Sequence, residues 1–341
     1  MSAIRPIRQP GSRFRDWLRP RLYCSLWAFF FLCFFGLARA EIKSAIEQSP
    51  VLIVIPDKSR VYTEFLDGFS VCHQAENSSV PSYDVIQLHQ LGDHPEQFDS
   101  RNVIAVGVLA TQYMLGRPAT TSFVSALIPR TAMQQMLSGI EGQNGLKAAF
   151  YVDQPLSRRL SLVRSLLPKA KNLSVVLGPS SRGSIEDELI REASSQGFTL
   201  EIAEVESARQ LSGLLQPLLK DSDGLLVLYD PVLTAPHAIK FLLYSAYQRR
   251  VPVFGYSQGY VKAGALASVY SSARGLGCQV GQSLEQENEA SSSSERSDGI
   301  KRYFPEHYFY KLNHSVARSF SVPTDNLPAN HPIGGDVDES P

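Results

Sequence analysis

Five residues, Gly255-Tyr256-Ser257-Gln258-Gly259, fit the pattern G-x-S-x-G. In that pattern a serine sits on a sharp strand-to-helix turn and serves as a nucleophile, with an acid and then a histidine later in the chain. Asp298, His307 and His314 follow in that order. Three features count against hydrolysis. Asp298 lies in a Ser-rich stretch. Gly259, Gly264 and Ala265 interrupt the helix that such a turn should open. About eighty residues remain after the motif, too few for the second half of a hydrolase sheet. A serine hydrolase using Ser257 therefore stands only as an alternative function.

Asp230 is the other chemically marked position. It follows the apolar run Gly224–Leu228 and Tyr229, and it precedes Pro231. A carboxylate at the end of a buried strand needs a partner or a ligand. Capping of the turn at Pro231 is the competing role. Asp57, Ser180 and Ser181 lie in loops that leave other apolar runs. Gly107 ends a further run, and a short helix including Ala110 begins just after it. Backbone N–H groups near Gly107 and Ser180 are thus candidates to hold an anionic or carbonyl group. The seven histidines form no helical i, i+4 pair and no Cys cluster accompanies them, so no metal site is expected. Phosphate-cradling Gly-rich loops are also missing, and no cofactor is expected.

These positions need elements that bring them together. Gly224–Leu228 reads as a buried strand, Thr234 to Arg250 as a helix, and Val251–Phe254 as a second strand. That unit is a right-handed parallel crossover. It delivers Tyr229, Asp230, Tyr256 and Ser257 to one sheet edge, where ligands bind in open parallel sheets. Two runs of alternating strand and helix are visible, one from Val51 to Pro129 and one from Lys147 onward. The expected fold class is α/β, with two doubly wound parallel-sheet lobes joined by a hinge. The lobes are expected over 41–150 and 151–266. Residues 288–302 are Ser-rich and are expected to be a flexible loop, and the Pro- and Gly-marked 321–341 a disordered tail.

The chain has no net formal charge, but its first 40 residues hold seven Arg and one Asp. Setting them aside leaves 26 basic and 32 acidic residues. An acidic body without a basic stripe argues against nucleic acid as a partner. A basic start, the apolar Leu22–Leu37 and Ala38-Arg39-Ala40 make residues 1–40 an export signal cleaved after Ala40. A retained anchor is the alternative. Cys72 and Cys278 remain in the exported chain, and an oxidising compartment permits a disulfide between them. Two small buried thiols are the plainer reading.

The central block resembles the ABC-transporter substrate-binding proteins of the type I periplasmic-binding-protein fold, in the branch of tryptophan and tyrosine binders. Asp223-Gly224 leading to Tyr229 and Asp230, Ala246, and Val251-Pro252-Val253-Phe254-Gly255 carry the resemblance. Val261-Lys262 and Gly264-Ala265-Leu266-Ala267 continue it. Weaker matches are Gly68-Phe69, Val106-Gly107 with Ala110, and Asn313 with Val316-Ala317. The resemblance implies a monomeric periplasmic protein without catalysis. It would close on a small molecule between its lobes and pass it to a permease or a membrane sensor. It also implies that about 267–287 completes the first lobe, so that Cys72 and Cys278 share it, and that 303–320 completes the second. The candidate ligand set is Asp57, Gly107, Ala110, Ser125, Ser180, Ser181, Tyr229, Asp230, Tyr256 and Ser257. Two departures stand out. Ser125-Ala126-Leu127 replaces a polar Thr-Asp pair, and Tyr256-Ser257-Gln258 stands where the family has an acid. Less charge in the pocket, with Tyr229 and Tyr256 able to stack on a flat ligand, leaves open whether the ligand is an amino acid or another aromatic. A degenerate cleft in a ligand-free interaction protein is a further alternative.

Overall fold

The computed structural model describes residues 51–73, 83–92, 98, 101–140, 145–183, 185–286 and 299–332. The expected export signal and Asp298 lie outside the described residues.

Strand β1 (Val51–Ile55) is apolar and buried at all five positions. Its alternate side chains enter two different cores. Val51, Ile53 and Ile55 pack with Phe65 and Phe69. Leu52 and Val54 pack with Met114 and Met133. Burial on both faces is what a parallel sheet between helical layers demands. The chain continues through α1 (Arg60–Cys72), β2 (Tyr83–Gln87), β3 (Asn102–Val106), α2 (Val108–Leu115), β4 (Phe123–Ile128), α3 (Arg130–Ser138) and β5 (Leu146–Tyr151). These strands form a parallel sheet in the order β5-β4-β3-β1-β2.

A second series begins with α4 (Leu156–Leu166), β6 (Asn172–Leu177), α5 (Glu186–Ser195), β7 (Thr199–Glu204) and α6 (Leu211–Leu218). It continues with β8 (Gly224–Val227), α7 (Pro231–Thr234), α8 (Pro236–Gln248), β9 (Val253–Gly255), α9 (Gln258–Ala263) and β10 (Ala267–Tyr270). Its parallel order is β10-β9-β8-β6-β7. The same alternation splits its core: Val175 and Leu177 face one cluster, Val176 the other.

The chain then returns to the first sheet. Helix α10 (Ala273–Gln286) packs along α1, and β11 (Lys301–Tyr303) pairs in parallel with β5. It crosses once more to β12 (Phe309–Leu312), antiparallel to β10, and ends in α11 (His314–Ser319). Glycines set the approach of α1 and α10. A Cβ on Gly68 would collide with the Arg274 carbonyl, and one on Gly277 with the Phe65 carbonyl. One turn further along, Cys72 and Cys278 are joined by a disulfide, with Cα atoms 4.9 Å apart. The two-thiol reading is thereby corrected: glycine-permitted contact brings the two helices within bonding range.

Two expected boundaries shift. Residues 301 and 302, assigned to the Ser-rich loop, already belong to β11. Ile300 is buried beside them, and Tyr303 stacks on Phe150 with centroids 4.5 Å apart. The first twelve residues of the expected disordered tail are placed rather than loose. His331 and Tyr308 exchange backbone hydrogen bonds of 2.8 and 2.9 Å, and Asn330 accepts the Tyr310 N–H at 2.7 Å. The backbone pairing lies just ahead of β12, and Asn330 satisfies the Tyr310 N–H on its outer edge, which would otherwise be unpaired.

Three chain crossings link the sheets, near Val152–Pro155, Ser271–Ser272 and Phe304–Tyr308, and side chains tie them together. Gln154 Nε2 donates to Ser271 Oγ at 2.7 Å, and Ser271 Oγ donates to the His307 carbonyl at 2.5 Å. Arg158 donates to Gln154 Oε1 and to the Pro305 carbonyl, and lies 3.6 Å above the Tyr308 ring.

Candidate functional site

A cleft of about 890 Å³ opens beside these crossings. Helix α1 contributes Arg60, Glu64 and Asp67 from one side. Tyr229, Tyr256 and Ser257 enter from the carboxyl ends of β8 and β9. The crossings supply Asp153, Gln154 and Ser271, and α4 supplies Arg159.

Three of the expected ligand residues, Tyr229, Tyr256 and Ser257, therefore meet at the cleft. Tyr229 and Tyr256 contact each other edge to face, with centroids 5.6 Å apart and planes at 87°. Behind them Tyr260 tilts against Tyr256 at 5.1 Å, and its hydroxyl donates to the Leu233 carbonyl. The tyrosines thus form one aromatic wall, not two parallel jaws. Burial pushes the Tyr256 phenol up to about 12, with Tyr229 adding to the rise, and burial raises the Tyr229 and Tyr260 phenols as well.

The other expected residues do not line the cleft. Asp230 is fully buried. Its Oδ2 accepts the N–H groups of Ser180 and Ser181 at 3.0 and 3.1 Å and the Ser181 hydroxyl at 3.1 Å. Its Oδ1 accepts the Val232 N–H at 3.0 Å, which caps α7. Of the two roles open to Asp230, ligand contact and capping at Pro231, its carboxylate fills the cap. For the same reason the backbone N–H groups at Ser180 and Ser181 are not open to an anion. Gly107, at φ 86°, spends its own N–H on the Ala126 carbonyl. Ala110 and Ser125 are fully buried, and Ser125 Oγ lies 2.6 Å from Thr111 Oγ1. Asp57 accepts the Ser59 N–H at 2.7 Å, ahead of α1, and does not line the cleft.

Ser257 has the extended backbone of a helix cap, φ −147° and ψ 161°, and its Oγ accepts the Tyr260 N–H at 3.4 Å. No histidine partners it among the described residues, so the geometry lacks the base that a serine nucleophile requires.

Residues 127–286 match the family of ABC transporter substrate binding proteins. The resemblance read from the central block and the family match thus fall on the same residues. Among solved structures, the chain is similar to a substrate binding protein with adhesive properties from Clostridium difficile, in a ligand-free, open form. That pair shares 15% identity over 81% of this chain and 97% of the other, with a TM-score of 0.60. A protein from Streptococcus pneumonia in complex with L-Trp matches at 14% identity over 82% and 98%, TM-score 0.54. A conserved domain protein from Vibrio cholerae matches at 19% over 82% and 98%, TM-score 0.54. These likenesses establish the fold, an α/β architecture of two mostly parallel sheets of the type I periplasmic-binding-protein kind. No curated protein matches the sequence.

Two buried charged residues at the cleft, Arg159 and Asp153, lie outside the expected ligand set. Arg159 is 6% exposed, yet it borders the cleft. Its Nη2 donates to the Val227 carbonyl and, at 3.4 Å, to that of Gly255. Burial lowers its guanidinium to about 10, opposed by Asp153 and Tyr256, so it stays charged at neutral pH. Burial also raises the Asp153 carboxyl, against the pull of the Arg130 N–H that it accepts at 2.6 Å. A sequence signal for Arg159 existed. Leu156, Leu160, Val163 and Leu166 mark the apolar stripe of α4, and Arg159 falls on that stripe.

Proposed function

We propose that this is an exported solute-binding protein that captures a small molecule in the cleft and delivers it to a membrane partner, an ABC-type permease or a sensor. The observation that carries the reading is the cleft itself. Its walls come from the carboxyl edge of one sheet and from α1 beside the other, and they meet at three tied crossings. Closure about such crossings is a hinge motion, and it would enclose a ligand. The 127–286 family match supports the same reading, in which the protein holds its ligand without catalysis. Among the described residues no helix is long and apolar enough to cross a membrane. In this reading residues 1–40 act as the export signal, cleaved after Ala40, and the mature protein works as a monomer in the periplasm.

The test is a thermal-shift screen of the protein beginning at Glu41 against amino acids, nucleosides, sugars and small aromatic acids. A ligand that binds only the folded state raises the midpoint by mass action, about 2.7 kcal/mol of stability at a hundredfold excess over Kd. A concentration-dependent rise with one chemical class is expected. A flat response across the library, repeated after refolding to strip any carried ligand, would refute solute binding.

A further inference from the structure

We propose that Arg159 is the anion anchor of the cleft, and that the ligand is a small organic acid whose carboxylate meets this guanidinium while a planar body lies on the Tyr229–Tyr256 wall. The inference rests on the solute-binding reading and names its ligand class.

Arg159 sits where a cation is costly. It is 6% exposed on the core stripe of α4. Removing a guanidinium from water costs several kcal/mol unless an opposite charge offsets it. None of the ion pairs among the described residues includes Arg159. The nearest electrostatic influence, Asp153, is itself driven by burial toward its neutral form, and it is bonded to the Arg130 N–H. A guanidinium carries five donors in a planar fork. Only Nη2 is used, on the Val227 and Gly255 carbonyls. Nε and Nη1 have no protein acceptor among the described residues, and Arg159 lines the cleft, where a ligand can supply one. Either unused group can donate a charge-assisted hydrogen bond to an oxygen of a ligand carboxylate.

The Nη2 bonds also hold the side chain still. They anchor it to the ends of β8 and β9, the strands that deliver Tyr229 and Tyr256. Tyr256 follows Gly255, whose carbonyl Arg159 meets, and both side chains line the cleft, so the aromatic wall and the cation are neighbours. The other basic residues lining the cleft are Arg60, Lys262 and Arg274: Arg60 and Lys262 are exposed, with Arg60 paired with Glu64 at 2.6 Å, and Arg274 is half-buried. An exposed, paired cation contributes little to anion affinity.

The experiment compares acids with their own amides. Benzoate, 4-hydroxyphenylacetate and indole-3-acetate, each beside its primary amide, are titrated calorimetrically into the protein beginning at Glu41. At least one acid should bind, at least tenfold more tightly than its amide. Arg159→Gln should erase that preference while leaving the unliganded circular-dichroism spectrum unchanged. If that variant does not fold, Arg159→Lys, which keeps the charge and loses the fork, should reduce the preference without abolishing it. Equal affinity for acid and amide, or a preference that survives in Arg159→Gln, would overturn the anchor. If only sugars, nucleosides or other neutral solutes bind, the anchor falls while solute binding stands. If nothing in either library binds, both fall.

Discussion

Asp230 receives both the N–H and the hydroxyl of Ser181, each at 3.1 Å, across 49 positions of sequence. The contact locks the loop after β6 to the end of β8. Gly178 is part of the same lock, because a Cβ there would strike the Asp230 carboxylate. A buried acceptor with four donors is costly to remove, since each donor is left without a partner. Asp230→Ala should therefore lower unfolding free energy by about 2–4 kcal/mol, measured by urea denaturation. Asp230→Asn, which keeps an acceptor on the cap, should lose less. Equal stability of the alanine variant and the parent would disprove the structural role.

The contact between α1 and α10 yields a second expectation. Gly68→Ala and Gly277→Ala each force a methyl group into a backbone carbonyl of the other helix. Overpacking of this kind costs about 1–3 kcal/mol, and the thermal midpoint should fall. Gly213→Ala in α6 is the control, because nothing lies within 4 Å of its Cβ position. Alanine there should be neutral or stabilising by up to about 1 kcal/mol. A Gly277→Ala protein as stable as the Gly213→Ala protein would mean that the helices do not approach this closely.

Local pattern accounts for much of what could be read beforehand. Val51–Ile55 and Asn102–Val106 are legible as buried strands because their apolar runs are continuous and short. Tyr229, Tyr256 and Ser257 reach the cleft because strand ends converge at one sheet edge. The cap at Val232 is the turn role that Pro231 signals, but the other three donors to Asp230 lie some fifty residues away, and no local pattern encodes which loop will meet it. The tail from 321 onward carries loop-forming prolines, yet its pairing at His331 depends on a distant strand edge. Arg159 is the opposite case. A charge on the apolar stripe of α4 was visible, but its meaning required the carbonyls of Val227 and Gly255.

The disulfide closes a loop spanning 206 positions between Cys72 and Cys278. Long loops gain most from closure, and loss of a native bridge typically costs about 2–5 kcal/mol. The double variant Cys72→Ala/Cys278→Ala should lose stability in that range. Wild-type protein denatured without reductant should take up no alkylating label at either cysteine, as read by mass spectrometry. Two labelled thiols in protein secreted through an oxidising compartment would contradict the bridge.

Tyr256 makes a prediction at alkaline pH. Burial holds its phenol neutral up to about 12 in the folded protein, against 10.0 when unperturbed. For an acid raised on folding, the unfolded chain ionises first as pH climbs. The stabilising contribution is thus complete below pH 10 and is lost as the pH rises toward 12. Tyr256→Phe has no proton to release at that position. Between those limits its stability should fall less steeply with pH than that of the parent, measured by urea denaturation at stepped pH. Its edge-to-face contact with Tyr229 survives in a phenylalanine ring, so the two proteins should differ little near neutrality. Parallel pH profiles through this window would show that the Tyr256 hydroxyl is solvated, and that the aromatic wall lies open to water in the unliganded state.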